Sequence, residues 1–214
     1  MDWQRLTNPE DIPSPGLLID PERVGRNIDR MISTVGRAGI KRLRPHVKSH
    51  KMTEVMKLQM EHGIHKFKAA TIAELEMAAI SGAQDVLLAY QPVGPNIERL
   101  ANLIERFPDT SFAAVTDNFS CAQSIADKLG RERSPFRLYI DIDCGMHRTG
   151  IALGSEMHTL RHWIETQPGV IFSGIHAYDG HLHQPCLESR KKKVNSIRRT
   201  LEDYATVDPP PEII

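Results

Sequence analysis

The stretch HKFKAATIAELEMAAISGAQDVLLAY, residues 65–90, reads as one complete strand–helix–strand unit. Its ends, 65–71 and 85–90, are short apolar, β-rich runs bounded by polar residues or glycine. Between them Thr71 is followed by Glu74 at capping-box spacing, and Gly82 stands where a glycine ends a helix. Leu75, Ala78, Ala79 and Gly82 then share one helix face. The same rhythm extends outward in both directions. KRLRPHVK (41–48) precedes the unit, and SFAAVTD (111–117), FRLYIDIDC (136–144) and VIFSGIHAYD (170–179) follow it, each separated by a helical pattern. Such alternation predicts a parallel sheet with right-handed crossovers, either an open doubly wound sheet or a (β/α)8 barrel. Periodicity alone does not choose between them.

Strand starts recur about every 26 residues, so six units fit this chain and the eight of a barrel of about 250 residues do not. PPPEII (209–214) reads as a turn and the opening of a seventh strand, and PGLLID (15–20) as an early strand with no place in a barrel. A helix is predicted from Pro21, suited to the first helical position, to Ala38. Neither repeats nor low-complexity stretches nor a long linker divide the chain, so residues 1–214 are expected to form one domain.

Composition narrows the function. The chain is 40% hydrophobic and 25% charged, enough for a sizeable core. Basic and acidic residues both number 27, which argues against a partner held by bulk charge, whether nucleic acid or anionic membrane. Cys121, Cys144 and Cys186 are odd in number and lack CxxC spacing, pointing away from a disulfide framework. The opening MDWQRLTNPEDIPSP has neither the basic end nor the apolar stretch of a signal peptide, and no run approaches the roughly 18 apolar residues of a membrane span. A cytoplasmic location is expected. RKKKVNSIRR (190–199) is basic but has no interleaved aromatics, and reads as a solvated helix face. No GxGxxG, GxxxxGK or GxSxG motif occurs.

Three segments carry candidate chemistry. In RPHVKSHK (44–51), strand alternation would put Arg44, His46 and Lys48 on one face at a strand's carboxyl end, where active sites of parallel α/β folds lie. Neighbouring cations and partial burial favour a neutral, nucleophilic lysine, the requirement for Schiff-base chemistry. The plainer reading is a solvated basic turn. In DIDCGMHRTG (141–150), Asp141 and Asp143 share a face, and Gly145 and Gly150 bracket a turn projecting Arg148. That guanidinium could hold a phosphate, carboxylate or phenolate oxygen, or simply pair with an aspartate. In GIHAYDGHLH (174–183), His176 and Tyr178 share a face, and Asp179, His181 and His183 follow; zinc binding and a hydrogen-bonded histidine loop both fit.

Together PGLLID, NIDRM, LRPHVKSHK, KFKAATIAELEMA, SGAQDVLLAYQPVGPNI, DIDCGMHRTGI and GIHAYDGH resemble the N-terminal barrel of the low-specificity D-threonine aldolase and D-serine dehydratase family. This is an alanine racemase-like family of pyridoxal phosphate (PLP) enzymes. The resemblance runs from about Pro13 onward, and it implies an incomplete (β/α)8 TIM-type barrel of about six units. It further implies that Lys48 forms the Schiff base with PLP, with His46 close by. Arg148 is implied to lie near the cofactor's phenolic oxygen, and His176 or Tyr178 beside its ring. The implied activity is a PLP-dependent lyase reaction on D-amino acids, of aldolase or dehydratase type.

In that family a divalent metal assists, held by ligands of a C-terminal β-domain, and a glycine-rich phosphate turn follows the strand that begins at PEII. This sequence stops before both. Expected partners are a small D-amino acid and, left open, a second copy in a homodimer. Two other readings stand beside the lyase: a noncatalytic or truncated PLP-binding protein, and a metal-dependent barrel hydrolase built on His176, Asp179, His181 and His183.

Overall fold

A computed structural model describes residues 6–130, 135–204 and 212–214. The unit at 65–90 folds as its sequence indicates, with β1 (Lys66–Ala69), a helix (Ile72–Ile80) and β2 (Asp85–Leu88). Thr71 Oγ1 accepts from the Glu74 amide at 3.2 Å, and a Glu74 oxygen accepts from the Ala70 amide at 2.7 Å, one residue earlier than in a standard capping box. Gly82, at φ +92°, follows the end of the helix in a backbone conformation that glycine adopts without strain. The succeeding strands are β3 (Ser111–Thr116), β4 (Phe136–Ile142), β5 (Val170–Ala177) and β6 (Glu212–Ile213). All pair in parallel, and their spatial order is their chain order. A doubly wound sheet would reverse that order at a switch point, so the sequential progression is that of a barrel wall carried part of the way round.

Helices α1 (Pro21–Val35), α2 (Thr53–Glu61), α3 (Ile72–Ile80), α4 (Pro95–Arg106), α5 (Phe119–Leu129), α6 (Ser155–Thr166) and α7 (Leu187–Tyr204) complete the described elements. Strand alternation sorts the side chains into two compartments. Phe67, Val86, Leu88, Phe112, Leu138 and Ile140 point outward into the core beneath the helices. Leu87, Ala113, Val115 and Tyr139 point inward and meet Ile214. Among the described residues no helix is long and apolar enough to cross a membrane.

Three sequence expectations change. Residues 41–48 do not form a full strand: a 3₁₀ segment covers Arg37–Arg42 and a second covers Val47–Ser49, leaving a single bridge from His46 to Lys68. Pro45 explains this, since it accepts from the Lys68 amide through its carbonyl but has no N–H to donate to a ladder. PGLLID is not a strand among the described residues. Leu17 is 83% exposed there, and none of the described strands takes this segment into its ladder. The first helix starts at Pro21 as expected, capped by Asp20, but ends at Val35 because Gly36 turns the chain at φ +71°. The short strand at the end of PPPEII forms, whereas its preceding turn lies outside the described residues.

The amino end of the barrel interior is filled by ions. Arg44 Nη1 lies 2.5 Å from Asp85 Oδ1, and Arg137 Nη1 lies 2.9 Å from Asp85 Oδ2. Arg137 Nη2 donates to the Tyr139 hydroxyl at 2.6 Å, which donates to Glu212 at 2.6 Å, and Lys66 pairs with the other Glu212 oxygen at 3.6 Å. Burial and the bond to Glu212 both push the Tyr139 hydroxyl well above its usual pKa, so it remains a donor.

Candidate active site at the carboxyl ends of the strands

Lys48 sits on the 3₁₀ turn Val47–Ser49 beyond the His46 bridge. Val47 is fully buried and anchors the turn, while Lys48 faces out at the mouth. The turn is closed by its own backbone, since the His50 and Lys51 amides both donate to the Val47 carbonyl. His46 Nδ1 accepts from the Lys48 amide at 3.3 Å, and Ser49 Oγ donates to the His46 carbonyl at 3.0 Å. Burial, reinforced by the charges of Lys48 and Lys68, lowers the His46 pKa to about 4 against the opposing influence of Glu74 and a backbone bond at Lys68. His46 is therefore uncharged at neutral pH, as its acceptor role demands.

The expected grouping of Arg44 with Lys48 does not occur. The 3₁₀ turn breaks strand alternation after His46, and Arg44 points to the opposite end of the barrel, onto Asp85.

Arg148 is carried on the loop after β4. Asp143 builds that loop by accepting from the Gly145 and His147 amides at 2.9 and 3.0 Å and bonding the His147 ring at 2.7 Å. At Gly150, φ is +99° and a Cβ would stand 2.5 Å from the Asp143 nitrogen, so only glycine lets the loop return this closely. Both aspartates are thus engaged elsewhere, and among the described residues Arg148 has no ion pair. Its guanidinium instead lies 5.2 Å from the centre of the Tyr178 ring, and the Lys48 amine lies 5.8 Å from that same centre. Tyr178 is 40% exposed just beyond β5.

His176, two residues earlier, is buried in the wall with Nδ1 2.6 Å from Asp141 Oδ1. Their strands hold them as register partners. The structure therefore brings Lys48, His46, Arg148, His176 and Tyr178 to one end of the barrel. It does not gather His176, Asp179, His181 and His183 into a ligand set: no group of three or more potential ligands is arranged for a metal among the described residues. The basic stretch 190–199 lies along α7, with Lys191–Glu188 and Arg198–Glu202 pairs on an exposed face, as expected of a solvated helix.

Lys68 escaped the sequence reading. It lies on the inward face of β1, where burial and the charges of Arg44 and Lys48, partly offset by Asp141, lower its pKa to about 8. Alternation within KFKA, with Phe67 and Ala69 outward and Lys66 and Lys68 inward, was the available signal. A cleft of about 640 Å³ opens outside this group over Asp117, Gly150 and Glu156, but none of the five candidate residues lines it.

PLP attaches covalently through an amine, and its phenolic oxygen accepts from a donor such as a guanidinium. The mouth offers both, since neither the Lys48 amine nor the Arg148 guanidinium has an ion-pair partner among the described residues and both converge on one aromatic ring.

Comparison with known proteins agrees with the architecture. The chain is 31% identical over 192 residues to a 3-hydroxy-D-aspartate aldolase of Paracoccus denitrificans, covering 87% of this chain and 48% of that protein. It is 24% identical to a D-threonine aldolase of Arthrobacter, covering 91% and 51%, and 26% identical to a D-serine dehydratase of Schizosaccharomyces pombe, covering 69% and 37%. The crystal structure of D-threonine aldolase from Filomicrobium marinum superposes with a TM-score of 0.82 at 23% identity, covering 91% of this chain and 52% of that one. The chain thus spans about half the length, or less, of the relatives it matches. Residues 19–214 match the family described as alanine racemase, N-terminal domain, and the chain belongs to that family.

Proposed function

We propose that residues 1–214 form the PLP-binding barrel portion of a lyase acting on β-hydroxy-D-amino acids, with the cofactor attached to Lys48 as a Schiff base. The observation that carries this reading is the convergence of two cations without ion pairs, Lys48 and Arg148, on Tyr178 at the barrel mouth. Relatives named as D-amino acid aldolases and dehydratases supply the substrate class. PLP when bound withdraws electrons from the substrate Cα, and the protein selects by orientation which Cα bond breaks.

The residues divide that task. With the cofactor bound, the Lys48 amine would be the group to take or return a proton at the substrate Cα. Arg148 would hold the phenolic oxygen with its planar fork. Tyr178 offers an aromatic ring within reach of both cations, and His46, uncharged, holds the Lys48 turn without adding charge. Asp141 engages His176 through Nδ1, leaving Nε2 as the ring nitrogen for a ligand. A metal assisting at the substrate hydroxyl belongs to the same proposal as a feature of the family reading; a cytoplasmic location is proposed from the polar start and cysteine usage of the sequence, and a homodimer stays open.

The test is to add PLP, reduce with borohydride and map the label by peptide mass. Visible absorbance with label on Lys48 is expected; label on Lys51, or scattered over surface lysines with Lys48 free, overturns the assignment. Arg148→Ala should weaken PLP retention by roughly tenfold, the size of one lost charge-assisted bond, with thermal stability unchanged. Unfolding with unaltered retention in the surviving protein would make Arg148 structural. Retained PLP without glycine-plus-aldehyde or keto-acid release from D-threonine and D-serine, in a version extended to the full length of the relatives, would instead favour the noncatalytic carrier.

A further inference from the structure

Glu74 lies outside the group just described, yet its side chain is only 6% exposed and both its oxygens are used. One accepts from the Ala70 amide at 2.7 Å, in the loop after β1. The other pairs with Lys51 Nζ at 3.2 Å. Lys51 stands two residues beyond the 3₁₀ turn that carries Lys48, and it closes that turn by donating its amide to the Val47 carbonyl at 2.8 Å. To do so its backbone adopts φ +52°, a left-handed conformation that a lysine does not favour intrinsically. The turn therefore has two hinges. The entering one is fixed by the His46–Lys68 bridge to β1, and the leaving one is fixed to the first turn of α3 through Lys51 and Glu74.

We infer that the Glu74–Lys51 pair is a clamp that holds the Lys48 turn in register with Arg148 and Tyr178, making Glu74 a positioning residue for the amine that takes PLP. The inference rests on the proposed role of Lys48. A buried carboxylate with one oxygen on a fixed amide makes a rigid anchor, and an exposed lysine stem alone could not hold a left-handed residue in place. The same pair keeps Lys51 occupied, so that of two neighbouring amines only Lys48 is free. Substitution at the clamp should change where and how fast the cofactor attaches as well as how stable the barrel is.

Glu74→Gln keeps an oxygen for the Ala70 amide and leaves the Thr71 cap intact, but loses the ion pair. Lys51→Gln loses it from the exposed side. Each should slow borohydride-trapped labelling of Lys48 by roughly tenfold, the scale of a small misplacement of a reacting group, and the double variant should be no worse than either single one. In Glu74→Gln the label should also move toward Lys51, and in both single variants the Lys51 amide should exchange its hydrogen faster. A wild-type labelling rate in Lys51→Gln, or losses that multiply in the double variant, would overturn the clamp. Should Glu74→Gln fail to fold, Lys51→Gln decides alone. If the unaltered chain takes no label on Lys48, the functional reading fails and exchange of the Lys51 amide decides: faster exchange keeps the clamp, unchanged exchange removes it.

Discussion

Replacing Asp85 with alanine is expected to cost about 3–5 kcal/mol, the usual loss when one partner of a buried ion pair is removed and its counterions stay behind. Asp85 holds two guanidiniums, from Arg44 and Arg137, and their side chains are 4% and 25% exposed. Without the carboxylate both cations face each other inside the barrel. Urea unfolding measures the effect, and a loss below about 1 kcal/mol, the range of a surface pair, would mean that water reaches this end freely. The same residue sets an acid limit. Burial pushes the Asp85 pKa up, but the bonds and charges of Arg44 and Arg137 outweigh it and hold the carboxyl below its ordinary value. Its contribution is thus complete above about pH 4 and is lost as pH falls through the lower folded-state value. Asp85→Ala should flatten the acid side of the stability profile.

Lys48→Met should abolish the PLP-dependent visible absorbance, whereas Lys68→Met should keep it. The contrast is informative because Lys68, with its pKa near 8, is a respectable nucleophile at slightly alkaline pH. Position decides against it. Lys68 lies within the wall on β1, and Lys48 projects at the mouth beside Tyr178 and toward the Arg148 fork. Retained absorbance in Lys48→Met, with the reduced label on Lys68, would transfer the attachment to β1. Lys68→Met should also stabilise the fold at pH 7, on the order of 2 kcal/mol, because a lysine whose folded pKa is depressed carries a penalty while protonated. That penalty is present below about pH 8 and fades as pH rises from there toward the unfolded value near 10.4, so the two proteins should converge in alkali.

What the sequence revealed divides along local and distant lines. The unit at 65–90 was legible because its signals, a cap, a helical face and a glycine stop, act within a few residues of themselves. Lys48, Arg148 and Tyr178 were legible as strand-end residues, since parallel folds place chemistry there. Residues 41–48 have the β-propensity of a strand, but Pro45 costs the segment its ladder. The place of Arg44 is not legible locally, because its partner, Asp85, lies 41 residues away and no local pattern names it. Lys68 was passed over because an alternating KFK looks the same whether its lysines face water or a barrel interior.

The ionic plug has a kinetic consequence. Its members come from the segment before β1 and from β1, β2, β4 and β6, so Tyr139 and Glu212 are separated by 73 residues and Arg137 and Asp85 by 52. Contacts this distant form only after the intervening loops have closed, and they follow the hairpin-scale assembly of neighbouring strand–helix units. The plug therefore latches last, and interactions that latch after the rate-limiting barrier govern how fast a native barrel comes apart while leaving the pace of its assembly alone. Endurance is set at the amino end of the strands, leaving the loops at the other end comparatively free to vary with the chemistry they serve.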